Sequence, residues 1–166
     1  MRLVWTTLFL VVAATPLPSI QSKANSSAAQ LVGTWRLMLY EDLENGRRVN
    51  RFGEKPLGLF IYTPDGHVAI QIADPSNPPC IPDRRTSDSR LPTCTPEQTR
   101  NVVDHYVAYW GTYTIDESAG VVVHHVQSDL GYSYIGTDQR RSFRLNGNRL
   151  ILGDGPNGTR VLERVR

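Results

Sequence analysis

The apolar positions of this chain fall in short runs bounded by turn residues, and the clearest of them lie between Tyr106 and Gln127. There a β-rich run, Tyr109 to Ile115, is followed by a polar turn, Asp116 to Gly120, and a β-branched run, Val121 to Val126. Strand formers on both sides of a loop supplying Asp, Ser and Gly predict an antiparallel hairpin. Upstream, Leu31 to Tyr40 alternates, with Leu31, Gly33, Trp35, Leu37 and Leu39 on one face and Thr34 and Arg36 facing water, which predicts a first strand. Leu57 to Thr63 and His67 to Ile72 flank Pro64-Asp65-Gly66 and predict a second hairpin. Between these elements, Asp42 to Lys55 reads as a polar loop and Asp74 to Thr93 as a proline-rich one. Thr95 is placed to cap a short helix from Pro96 to about His105, with proline at its first position. Gln139 to Leu145, Arg149 to Leu152 and Arg160 to Val165 read as further strands, separated by Asn146-Gly147-Asn148 and the turn-rich Gly153 to Gly158. About eight sequential strands and one short helix leave two architectures open, a sandwich or an up-and-down barrel.

The N-terminus follows a different pattern. After Arg2, LVWTTLFLVVAA is an apolar run of about a dozen residues, too short to span a bilayer. The tail TPLPSIQSKA breaks it with prolines and offers Ser22 and Ala24 for a cut near Asn25, so residues 1–24 read as a secretory signal peptide and 25–166 as the mature domain. A secreted or periplasmic protein with no membrane span after cleavage is expected. Of the 18 Lys and Arg residues, Arg2 and Lys23 lie in the leader, so 16 basic residues stand against 16 acidic ones afterwards. Such a neutral domain lacks the concentrated positive field that a nucleic-acid partner requires. Roughly 140 residues remain, enough for one core and not for two. Cys80 and Cys94 enclose a polar, proline-flanked segment. In an exported protein this spacing predicts a disulfide, which would contribute on the order of 3 kcal/mol. Asn25-Ser-Ser and Asn157-Gly-Thr are glycan acceptors if the source is eukaryotic.

LVGTW near the mature start, FGEKPLGLFIYTPDG in the second hairpin, and AYWGTYTIDESAG, VVVHHV and IGTDQRR further on together resemble the small lipocalin-like domain family of bacterial and fungal proteins, from about Leu31 to Val165. The resemblance implies a barrel and not a sandwich: an all-β, antiparallel up-and-down lipocalin-like β-barrel of about eight strands with one short helix. In the wider lipocalin group, to which this family is similar, the first-strand Gly-x-Trp, here Gly33-Thr34-Trp35, closes one end of a ligand-holding barrel. Members of the smaller family mostly lack an established biochemical role, so the likeness implies fold more than function. The loop carrying the cysteines is longer than the family pattern.

Strand alternation then nominates the interior. Tyr109, Gly111, Tyr113 and Ile115 share one face, and Phe143 and Leu145 carry Gln139 and Arg141 inward in the same phase. An inward guanidinium beside tyrosine hydroxyls suits a carboxylate or enolate. The resemblance implies an alternative, an arginine packed on Trp35 at the closed end, a place that Arg141, Arg144 or Arg164 can fill. His124 and His125 are strand neighbours and point to opposite faces, so they cannot share an ion or a pocket. Val121 to Val123 are all apolar and leave the phase open; the Thr that relatives carry in the Val121 and Val123 register implies that His124 is the inward one. An inward His124 beside Tyr113 or Tyr62 is a possible proton-transfer pair, with a histidine hydrogen-bonded across the sheet as the plainer reading. His67 and His105 read as surface residues. No HxH, HExxH or Cys/His ligand spacing, GxSxG elbow or glycine-rich phosphate loop occurs, so no metal and no cofactor is expected.

The first expectation is a binding module, an exported barrel that takes a small hydrophobic or amphipathic molecule into a lumen lined by Trp35, Tyr62, Tyr109, Tyr113, His124, Gln139, Arg141 and Phe143. One alternative is an isomerase or cyclase acting on a polyketide- or terpenoid-like substrate, with His124 and Tyr113 as catalytic pair. The other is a ligand-free barrel with a packed interior, used as an interaction module. Oligomeric state is not specified by these patterns.

Overall fold

A computed structural model describes residues 26–76, 94–153 and 158–166. The expected leader, Asn25, Asn157, and Cys80 with its expected bridge to Cys94 lie outside the described residues. The described elements are α1 (Ser27–Leu31), β1 (Gly33–Glu44), β2 (Arg47–Val49), β3 (Leu57–Tyr62), β4 (His67–Ala73), α2 (Pro96–Asp104), β5 (Tyr106–Asp116), β6 (Val121–Asp129), β7 (Asp138–Asn146), β8 (Arg149–Leu152) and β9 (Thr159–Arg164). From β3 to β9 each strand pairs antiparallel with the next, and β1 pairs with both β3 and β9. The result is a closed, eight-stranded up-and-down barrel with β2 as an extra strand on β1. Closure removes the exposed strand edges that an open sheet leaves.

The first strand departs from simple alternation at both ends. Leu31 was expected on it but ends α1, where the Ser26 hydroxyl accepts from the Ala29 N–H and caps the turn. Gly33, at φ 138°, then turns the chain into the strand in a conformation that side-chain-bearing residues avoid. Trp35 and Leu37 are buried as expected. Between Leu37 and Leu39, however, the pairing with β9 slips, and beyond that bulge Tyr40, not Leu39, packs against the core. The expected loop from Asp42 to Lys55 contains a hairpin instead. Asn45 and Gly46, at φ 51° and 76°, make the left-handed two-residue turn that lets β2 fold back on β1. Phe52 from the same stretch is buried edge-on against Tyr40, with ring centroids 4.7 Å apart.

The other elements fall close to expectation. Asp65-Gly66 turns β3 into β4 in register from Leu57↔Ala73 to Tyr62↔Val68. α2 opens on a capping box, in which Thr95 accepts from the Gln98 N–H and Gln98 accepts from the Thr95 N–H, with Pro96 in the first turn. Tyr62, Val68, Ile70, Val126, Phe143 and Leu150 fill the interior from five strands.

One end of the barrel is shut. The Trp35 indole N–H donates to the Leu31 carbonyl at 2.8 Å, and the Arg164 guanidinium lies over the Trp35 ring with its carbon 4.1 Å from the centroid. Arg164 also donates to the carbonyls of Val32 and Gln30, which end α1. The arginine on the tryptophan is therefore Arg164, and Arg141 is free of that duty.

The central hairpin carries a second bulge, where Trp110 pairs with Ser128 but Gly111 pairs with Val126. A methyl group at Gly111 would sit 2.0 Å from the His125 carbonyl oxygen, a backbone atom that cannot move aside without breaking the ladder. Gly111→Ala is expected to destabilise the barrel by on the order of 3 kcal/mol or more in urea denaturation, whereas Gly131→Ala costs about 0.5 kcal/mol or less. The control has room, since its added carbon meets nothing closer than the Asp129 carboxylate at 3.6 Å. Equal stability of the two variants would show that β5 and β6 do not approach as described.

Candidate functional site

At the end opposite Trp35, the barrel wall encloses a cavity of about 40 Å³. Its apolar lining comes from Phe60, Ile70, Ile72, Val107 and Leu152, its polar lining from Tyr40, Tyr109, His124, Tyr134, Arg141 and Arg160. The space admits water or one end of a small molecule, whereas a drug-sized ligand needs about 300 Å³ or more. A larger, more open hollow of about 490 Å³ is bordered by exposed Leu57 and Leu59 together with buried Leu37 and Ile72, beside β1, β3 and β4. The convergent polar groups are in the smaller cavity.

His124 is the centre of that polar group. It is 1% exposed, and both ring nitrogens are engaged: Nε2 with the Tyr62 hydroxyl at 2.9 Å and Nδ1 with the Tyr109 hydroxyl at 2.8 Å. Three strands supply the trio. Tyr62 ends β3, Tyr109 lies early on β5, and His124 is on β6, so only the curvature of the wall brings residues 62 and 124 together. Burial is the main cause of a His124 pKa lowered to about 3, with the positive charges of Arg141 and His125 adding to it. Burial likewise raises both tyrosines above the ordinary phenol value, and Arg141 opposes the rise at each. The trio is therefore neutral throughout the physiological range.

His125, its neighbour, faces outward as strand geometry requires, where Nδ1 lies 2.7 Å from Asp138 and Nε2 lies 2.9 Å from the Thr114 hydroxyl. Arg141 points inward in the phase of Phe143. Its guanidinium donates to the Arg140 carbonyl at 2.9 Å and to Gln139 Oε1 at 3.2 Å, while Gln139 donates in turn to the Thr137 hydroxyl at 2.8 Å. Arg160, the other cation at the cavity, is neutralised. It pairs with Asp42 at 2.6 Å, donates to the Glu41 carbonyl, and lies 3.7 Å over the Tyr40 ring. Tyr134 stands edge-on to Tyr109 at 6.1 Å, carried by a loop whose backbone N–H at Tyr134 donates to the nearly buried Asp129 carboxylate.

Of the eight expected lumen residues, the cavity wall includes Tyr109, His124 and Arg141. Tyr62 supports it from behind through His124, and Gln139 holds Arg141. Trp35 belongs to the shut end and Phe143 to the packed core. Tyr113 is not bonded to His124: its hydroxyl donates to the Thr63 carbonyl at 2.9 Å while its ring stands edge-on to Tyr62. Tyr40, Tyr134 and Arg160 were missed. Phe60, Ile70 and Ile72 were legible in the second hairpin's alternation, but Tyr40 was hidden by the bulge and Tyr134 by its place in a loop.

A closed antiparallel barrel, shut at one end by a first-strand tryptophan and an arginine and holding a small polar-edged cavity toward the other, defines a lipocalin-like protein. The chain belongs to the lipocalin-like domain family, whose sequence model matches residues 32–161. No curated protein sequence matches it.

The buried histidine makes stability depend on pH. An unfolded histidine takes its proton near 6.5, whereas folded His124 takes one only near 3. Between those values the unfolded state binds more protons, so stability falls as pH drops, by about 1.4 kcal/mol per pH unit well below pH 6.5. Urea denaturation is expected to show a loss of roughly 2 kcal/mol between pH 7 and pH 5 from this group alone. His124→Gln should be less stable at pH 7 and lack this component of the slope. An unchanged slope in the variant would show that His124 is not the buried neutral group described.

Proposed function

We propose that the barrel is a binding module that receives one end of a small, largely apolar molecule in the cavity beside Tyr109 and His124. The observation that carries this reading is the hydrogen-bonded cluster of Tyr62, His124 and Tyr109 at a cavity whose remaining wall includes Phe60, Ile70, Ile72, Val107 and Leu152, the pattern of a site that orients a ligand with a few fixed groups. The cavity volume of about 40 Å³ sets the mode. Only the tip of the ligand is enclosed, and the remainder lies at the rim formed by Val107 and Tyr134. The proton-transfer alternative is disfavoured by the same cluster. A histidine with a pKa of about 3 is a weak base at neutral pH, and its two nitrogens already serve tyrosines. Narrowness of the cavity favours the packed-interior reading as the competitor.

The apolar leader supports export of the mature domain from Asn25 and, in an oxidising compartment, a Cys80–Cys94 bridge. Intact mass of the protein secreted by its own host is expected to correspond to a start near Asn25 and to rise by two hydrogens on reduction. A retained leader would end the export proposal, and an unchanged mass on reduction would end the bridge.

Binding is tested with a fluorescent fatty acid titrated against the barrel and against Val107→Trp, which places an indole in the rim. Affinity is expected to drop about tenfold or more in the variant, equivalent to about 1.4 kcal/mol, at similar Tm. Absence of saturable binding to the unaltered protein would leave the packed barrel as the better account.

A further inference from the structure

The two hydrogen bonds to His124 have a direction, and it determines what the cavity offers a ligand. A neutral imidazole carries one ring proton and each tyrosine one hydroxyl proton, so three protons serve two bonds and one hydroxyl proton is left over. If Nε2 held the ring proton, it would donate to Tyr62, Tyr109 would donate to Nδ1, and the spare proton would be that of Tyr62. Tyr62 is 1% exposed, does not line the cavity, and has no hydrogen-bond partner other than His124 among the described residues. Leaving its O–H orphaned there costs about 1–3 kcal/mol. In the other tautomer Tyr62 donates to Nε2, Nδ1–H donates to the Tyr109 oxygen, and the spare proton is that of Tyr109. That hydroxyl belongs to a residue on the cavity wall and has His124 as its sole hydrogen-bond partner among the described residues.

A second group on the same wall points to the same chemistry. Arg160 is matched by Asp42, but Arg141 has no carboxylate partner among the described residues; the bonds it makes are to a carbonyl and to the amide of Gln139. The cavity therefore presents a directed O–H donor and one cation with no carboxylate partner, and no carboxylate lines its wall among the described residues.

We infer that the ligand is a carboxylate-ended amphiphile that enters head first, its carboxylate accepting from the Tyr109 hydroxyl and pairing with Arg141, while His124 acts as a positioning residue that keeps the Tyr109 proton aimed into the cavity. This rests on the binding reading above and adds the class of ligand and its orientation. A charge-assisted bond of this kind is about twice as strong as a neutral one, and the guanidinium remains charged at any working pH. A ligand headed by an ammonium group meets the wrong charge, and one headed by a plain hydrocarbon offers no acceptor to the Tyr109 hydroxyl or to Arg141.

The test uses four probes of equal chain length, octanoate, octanamide, 1-octanol and octylammonium, titrated into the mature protein at pH 7 by calorimetry. Long-range proton–nitrogen NMR on the same sample reads the His124 tautomer. Octanoate is expected to bind about tenfold or more tightly than 1-octanol, and octylammonium weakest of all. Arg141→Gln and Tyr109→Phe should each bring octanoate toward the affinity of 1-octanol, and the free protein should show the Nδ1–H form. Equal affinities for octanoate and 1-octanol would overturn the carboxylate assignment while leaving the binding module standing. No binding of any probe would defeat the binding reading itself and this inference with it. A parallel loss of octanoate and 1-octanol in Arg141→Gln would show a merely structural arginine, and an Nε2–H tautomer would remove the Tyr109 donor.

Discussion

Closure of the sheet through β1 is the constraint on which the rest depends. One strand bonds to β3 from Gly33 to Arg36 and to β9 from Trp35 to Glu41, and this double pairing turns a meander into a sealed wall. Sealing has an electrostatic consequence. Polar side chains that face inward lose water and must satisfy one another, because an unmatched buried donor or acceptor costs more than a matched one returns. Among the described residues, no buried side-chain nitrogen or oxygen lacks a partner. His124 meets that demand by spanning two tyrosines, one on the adjacent β5 and one on β3 beyond it, and the same burial that requires the bonds also keeps the ring uncharged.

The two ends of the barrel solve different problems with arginines. Arg164 seals one end by covering Trp35 and donating to the carbonyls that α1 leaves unpaired. Arg160, at the start of β9, holds the second half of β1 in place through Asp42 and Tyr40. Both are structural because their charge is absorbed, one by carbonyls and an aromatic face, the other by a carboxylate. Arg141 lies in the same interior phase with only neutral acceptors among the described residues. That difference in partners, and not any difference in residue type, separates Arg141 from the two structural arginines.

Much of this was legible from alternation alone. The central hairpin, the second hairpin, the capped helix and the inward phase of Tyr109, Arg141 and Phe143 follow from periodicity and turn chemistry. The illegible parts share a cause. A bulge inserts one residue without leaving a mark in the pattern, so Tyr40 replaces Leu39 in the interior although the sequence beforehand alternates well. The Asn45-Gly46 turn was a readable hairpin signal that the polarity of its flanks concealed. The Tyr62–His124 bond lies beyond the reach of local reasoning, since it depends on how far the wall curves across β4 and β5.

Phase also explains why the expected lumen was too large. Alternation sorts side chains into inside and outside but carries no information about height along the barrel axis. Trp35, Phe143 and Tyr109 all face inward, yet the first plugs one end, the second packs the middle and only the third reaches the cavity. An eight-stranded barrel is just wide enough for side chains to fill it. In such a barrel large aromatic residues at several levels occupy the space they would otherwise line. The cavity lies at the level where the large side chains give way, and that level is marked by Tyr109 and Arg141 in its wall. In a wall this narrow the cavity is confined to a layer that the large side chains of the core leave unfilled.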